Sequence, residues 1–140
     1  IAALADVDWN AKGIDAGEGS GDLVEIAKKL AKKRNCVVVE SGKTDIITDG
    51  EAVVRVFNET DLFKLHVGSG DMLSSTIGCF CGVEKDYFEA AQAATVIFDV
   101  AGEVVAKAMK KPLAGSFGVQ LIDELHLIDV KTVERYANFE

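Results

Sequence analysis

Apolar residues along this chain change period several times, and each change marks an expected element. In "SGDLVEIAKKLAKKRN", Leu23, Ile26, Ala27 and Leu30 share one helical face, with Ser20 or Asp22 as candidate N-cap. "CVVVES", residues 36–41, is a short β-branched run suited to a strand buried on both faces. "TDIITDGEAVVRVF" holds two strand-like runs around Asp49-Gly50, a strong hairpin signal. "DYFEAAQAATVIFDVAGEVVAKAMKK", residues 86–111, has Ala-rich helical character, weakened only at Gly102 and stopped by Pro112. "SFGVQLIDELHLI" and "VKTVERYANF" predict two final helices, with Ser116 and Asp129 near their starts. No internal repeat, low-complexity tract or linker interrupts this order. The pattern predicts an α/β fold, a small sheet with helices around it, in one domain.

Composition narrows the function classes. The chain has 140 residues, about half of them hydrophobic, which suits one packed domain and excludes disorder. A formal charge of −8, without basic stretches interleaved with aromatics, argues against nucleic acid as a partner. The basic run "KKLAKKR" falls where a helix should end and reads as a solvated face that complements the helix dipole. No charge-free apolar run is long enough to span a bilayer, and no secretory signal opens the sequence. Cys36, Cys79 and Cys81 lack zinc-like spacing and read as small buried residues in a reducing cytosol. His66 and His126 are solitary, so no metal site is expected on them.

Chemistry is concentrated in "LHVGSGDMLSSTIGCF", residues 65–80. Gly68 and Gly70 let the backbone turn tightly and approach a ligand. Asp71 and Met72 look like the first turn of a buried helix, whose unpaired amides suit a phosphate. Ser69 or Asp71 could satisfy the same amides as a simple cap, and caps are far commoner. A second glycine-rich stretch, "GEGSGD" at residues 17–22, also precedes a helix, but Glu18 and Asp22 would repel an anion. It reads as a flexible, capped loop. Neither stretch matches G-x-x-x-x-G-K-[ST]. Asp45 and Asp49 read as turn chemistry and exposed charge, and Ser41 by itself as a turn residue. The apolar positions at Met72, Leu73 and residues 91–105 read as core.

Four motifs in order, "VVVESGKTDIITDG", "GSGDMLSSTIGCF", "AGEVVAKAM" and "AGSFGVQLIDEL", resemble the C-terminal half of the hydroxyethylthiazole kinase family, within the ribokinase-like superfamily. The opening "IAALADVDWNAKGIDAG" is similar to that family too. The resemblance implies the C-terminal portion of a ribokinase-like three-layer α/β/α fold, with a strand hairpin and several helices. It implies a cytoplasmic, magnesium- and ATP-dependent enzyme of thiamine biosynthesis that phosphorylates the primary alcohol of 4-methyl-5-(2-hydroxyethyl)thiazole. It also implies a homotrimer with thiazole pockets between neighbouring subunits.

Carried over by position, Gly68, Ser69 and Gly70 match the family's anion-hole loop, whose backbone donors face the transferring phosphoryl group. Asp71 stands where these kinases commonly have cysteine and the wider superfamily has aspartate. The resemblance makes it the base that takes the substrate hydroxyl's proton. Ser41-Gly42 match a Thr-Gly that contacts nucleotide phosphates. Gly115-Ser116-Phe117 match a loop expected to be structural. No metal ligand is carried over, because the family's magnesium ligands, an ATP-binding arginine and most of the thiazole pocket lie upstream of the position of Ile1. The chain is therefore expected to be the nucleotide-side half, with the N-terminal half as its missing partner. Two other readings remain: a ribokinase-like kinase of hydroxymethylpyrimidine or a sugar, kept alive by Asp71, and a non-catalytic assembly module.

Overall fold

The computed structural model describes residues 1–6, 10–12, 15–18 and 22–140. Two units divide the chain, Ile1–Arg55 and Val56–Glu140. The first begins with a 3-10 turn at Ala3–Ala5 and an antiparallel pair, β1 (Asn10–Lys12) and β2 (Asp15–Glu18). Helix α1 (Leu23–Arg34) starts where Asp22 accepts the Val24 amide at 2.9 Å, and ends at Asn35 in the left-handed conformation. It buries Ile26, Ala27, Leu30 and Ala31 against Ala2, Ala5, Val38 and Ile46. Its basic last turn stays exposed, with Lys32 paired to Glu51 at 2.8 Å and Lys33 to Asp6.

A three-stranded sheet follows in the order β3 (Val38–Glu40), β4 (Asp45–Thr48) and β5 (Val53–Val56). Strands β3 and β4 are antiparallel, with Val38 opposite Thr48, Val39 opposite Ile47 and Glu40 opposite Ile46. The expected turn lies at Asp49-Gly50. Gly50 has φ +102°, Asp49 accepts the amides of Glu51 and Ala52 at 2.8 Å each, and the Thr48 hydroxyl donates to the Ala52 carbonyl at 2.6 Å.

The second unit is helical: α2 (Asp61–Leu65), α3 (Ser69–Val83), α4 (Tyr87–Ala108), α5 (Ala114–Leu127) and α6 (Val130–Tyr136). Its core joins Leu62, Leu73, Phe98, Ala101, Val105, Phe117 and Leu121. Asn58, buried, ties the segment before α2 to the end of the chain. Its amide donates to Glu103 and to the Tyr136 carbonyl at 2.8 Å, and its oxygen accepts the Asn138 amide at 2.8 Å.

Several expectations need correction. Leu23 is exposed rather than on the buried face of α1, which Ala31 joins in its place. Strand β3 is half-buried at Val39 and Glu40, because it has one neighbour, β4, among the described residues. Cys36 and Cys79 are exposed and Cys81 half-buried, so they are not core: Cys79 lies on a part of α3 that buries only Leu73. Helix α5 starts before Ser116, and Gly115-Ser116-Phe117 are helical rather than a loop. Of the "GEGSGD" stretch, residues 19–21 lie outside the described residues; Gly17 and Glu18 end β2 and Asp22 is a cap.

Helix α4 runs unbroken through Gly102. The Phe63 ring fills the space where a Cβ would stand. On an open helix surface Gly→Ala stabilises by about 1 kcal/mol. Here Gly102→Ala should destabilise by about 1–3 kcal/mol, because the ring is also wedged between Phe98 and Phe117 and has little room to retreat. Denaturant midpoints measure the change, and a gain in stability would contradict this packing.

Candidate functional site

The turn between α2 and α3 is built by glycine. Gly68 has φ +106°, a conformation that side chains with a Cβ rarely adopt, and it stands at the N-cap of α3. It supplies no side-chain cap, and among the described residues no protein acceptor meets the amides of Gly70 and Asp71. Four other helices close their first turns with the side chains of Asp22, Thr60, Asp86 and Asp129, while α5, starting after Leu113, has no side-chain cap either. Gly70 is exposed, and a Cβ there would meet nothing within 4 Å. Two unpaired donors at the positive end of a 15-residue helix suit a phosphoryl oxygen. The simple cap by Ser69 or Asp71 is not formed.

Ser69 does not offer its hydroxyl to a ligand. That hydroxyl donates to the Phe63 carbonyl at 2.8 Å, while the Ser69 amide donates to the His66 carbonyl at 3.2 Å. Ser74, Ser75 and Thr76 also spend their hydroxyls on backbone, donating to the carbonyls of Gly70, Asp71 and Met72 at 2.8–2.9 Å. Asp71 is exposed on the same first turn as the open amides. It stands beside a shallow groove of about 310 Å³ between α3 and α5, lined also by Met72, Ser75, Thr76, Ile122 and Leu125. A carboxylate above an apolar groove can take a proton from an alcohol whose carbon body lies in the groove.

Ser41 and Gly42 lie exposed in the first unit, in the loop joining β3 to β4. Asp45 shapes that loop by accepting the Gly42 amide at 2.8 Å. Asp45 is not the exposed turn charge that its sequence context suggests. It is 7% exposed, and burial pushes its carboxyl up to about 6 against the pull of the Gly42 amide. Glu40, at the other end of the loop, is raised in the same direction by burial first and by Asp45 in addition. One Glu40 carboxylate oxygen is buried with no hydrogen-bond partner among the described residues. Asp49, in contrast, is exposed, and the amides it accepts hold its carboxyl below the usual range. The sequence signal for Asp45 was its place at the head of "DIIT", where every residue of β4 is buried. No group of three or more His, Cys, Asp or Glu side chains stands together among the described residues to hold a metal ion. No described helix is long and apolar enough to cross a membrane.

Residues 1–131 match the hydroxyethylthiazole kinase family. Three curated relatives, each named hydroxyethylthiazole kinase, are similar along nearly the whole chain. The protein from Levilactobacillus brevis is 56% identical, covering 100% of this chain and 53% of its own length. That from Lactiplantibacillus plantarum is 49% identical, covering 100% and 54%. That from Pasteurella multocida is 40% identical, covering 98% and 52%. A solved structure described as hydroxyethylthiazole kinase protein from Pyrococcus horikoshii superposes with a TM-score of 0.78 at 29% identity, over 84% of this chain and 45% of that one. The ribokinase-like α/β expectation is borne out by this likeness. The chain spans about half the length of the curated relatives it matches.

The buried carboxyl at the Ser41-Gly42 loop makes stability depend on pH. The folded value of Asp45 lies above the ordinary 3.8. Its contribution is therefore full below the unfolded value and is lost as pH rises through about 6. Asp45→Asn keeps an oxygen for the Gly42 amide and removes that loss. Relative to the wild type, it should gain about 1–3 kcal/mol between roughly pH 4 and pH 7.5 in denaturant titrations. A stability difference that stays flat with pH would contradict the burial.

Proposed function

This chain belongs to the hydroxyethylthiazole kinase family, and from that membership we propose that it forms the nucleotide-side portion of a ribokinase-like kinase domain. The reaction transfers the γ-phosphoryl group of ATP to the primary alcohol of 4-methyl-5-(2-hydroxyethyl)thiazole, in the cytoplasm, as a step of thiamine biosynthesis. One observation carries the assignment to this site: the first turn of α3 combines two open amides, those of Gly70 and Asp71, with the Asp71 carboxylate.

Asp71 takes the proton as the substrate hydroxyl oxygen attacks the γ-phosphorus in line, and ADP leaves. The Gly70 and Asp71 amides stabilise charge on the transferring group, with Gly68 setting the turn and Ser69 locking it. Ser41 and Gly42 contact the nucleotide phosphates, and Asp45 fixes their loop by its bond to Gly42. Magnesium neutralises phosphate charge in such kinases. Among the described residues no three His, Cys, Asp or Glu side chains stand together to hold it. Homotrimer formation would cover apolar side chains that α5 exposes, such as Val119 and Ile122.

The experiment is a turnover screen of the full-length gene product with ATP, magnesium and a panel of alcohols. Phosphorylation of the thiazole alcohol is the expected result. Preference for hydroxymethylpyrimidine or a sugar would support the second reading, which the Asp71 carboxylate keeps open, and no turnover at all would leave an assembly module. Residues 1–140 expressed alone should not turn over the thiazole alcohol, and activity should appear on mixing with the N-terminal half. A monomer of this length with kinase activity of its own would refute the division of labour.

Asp71→Ala in the full-length protein should lower kcat by roughly 10²–10⁴-fold with little change in ATP binding. Asp71→Cys should fold and retain partial activity. Near-normal turnover of the alanine variant would remove Asp71 from the mechanism.

A further inference from the structure

Ser69 is held by two carbonyls, those of Phe63 and His66. The direction of the next two amides, Gly70 and Asp71, depends on where those carbonyls stand. Each carbonyl belongs to a residue whose ring is seated on a glycine of another helix. The Phe63 ring fills the Cβ space of Gly102 in α4, and the His66 imidazole fills that of Gly118 in α5. His66 also meets the Phe117 ring edge-on, with centroids 6.3 Å apart and planes at 72°. Its amide donates to the Leu62 carbonyl at 2.9 Å, which ties the residue back to α2. Gly118 is buried in the middle of a helix, where glycine is a poor choice unless something needs the space. The imidazole is what occupies it.

We propose that His66 and Gly118 are positioning residues for phosphoryl transfer: the imidazole seated on Gly118 sets the His66 carbonyl, which sets Ser69 and aims the Gly70 and Asp71 amides. The inference rests on the reading of the Gly68–Asp71 turn as the phosphoryl-holding site. Neither residue touches the substrate. A misplacement of about 1 Å in groups that stabilise a transition state costs up to about 100-fold in rate, so a methyl group on Gly118 should be felt at the chemistry.

In the full-length gene product, Gly118→Ala should lower kcat about 10- to 100-fold with the KM for ATP little changed. His66→Ala should lower kcat in the same sense. The double variant should fall no further than His66→Ala alone, because the added methyl then has no imidazole to displace. Losses that multiply in the double variant would overturn the proposal. So would wild-type kcat in Gly118→Ala with only its melting temperature reduced. If Gly118→Ala folds poorly, the other two variants decide: equal kcat, below wild type, supports the seat, and wild-type kcat in His66→Ala overturns it. NMR shifts of the Gly70 and Asp71 amides on adding ATP and magnesium separate this from the reading beneath it. If those amides do not respond in the wild type, the phosphoryl-holding turn itself fails. If they respond while Gly118→Ala keeps its kcat, only the positioning role fails.

Discussion

The Phe63 ring is where the helical unit is joined. It stacks on Phe98 at 5.3 Å and meets Phe117 edge-on at 5.4 Å, so one side chain links α2 to both α4 and α5. The contact with α4 is possible because residue 102 has no side chain and the ring can lie against the backbone. From that fixed ring the chain has only a few residues to reach Gly68, and the Phe63 carbonyl holds Ser69 on the way. A rigid aromatic cluster therefore sits directly behind the turn that leaves its amides open.

Leaving those amides open has a cost. A side-chain N-cap contributes about 1 kcal/mol, and α1, α2, α4 and α6 each have one. Helix α3 forgoes it, although its first turn contains Ser69 and Asp71, both residue types able to cap. Ser69 is turned toward the preceding segment instead. A missing side-chain cap is not peculiar to α3, since α5 starts at Leu113 without one; under the proposed reading, the open α3 amides are the ones that meet the phosphoryl group.

The loop of Ser41 and Gly42 follows a related logic with a different group. Asp45 lies buried at the head of β4 and spends an oxygen on the Gly42 amide. Burial raises both Asp45 and Glu40, so the ends of this short loop carry carboxyls whose ionised forms are disfavoured. An aspartate beside a turn ordinarily stays in water. Here the strand it begins is buried along its whole length, and the side chain goes in with it.

Much of the fold was legible in the sequence. Period located α1, α4 and α6, cap chemistry marked Asp22 and Asp129 at two of their starts, and Asp49-Gly50 marked the turn between β4 and β5. The order of four motifs pointed to the family, and "GSGD" to a glycine turn before a helix, with cap and cradle both open until the structure. Those features are local, because a residue's own turn or strand decides them. The burial of Asp45, the exposure of Cys36 and Cys79, the unbroken passage of α4 through Gly102 and the seat of His66 on Gly118 were decided by tertiary structure. The two glycines meet rings from about 40 and 50 residues away in sequence, and neither helical period nor propensity carries information about what will lie against a helix from outside it.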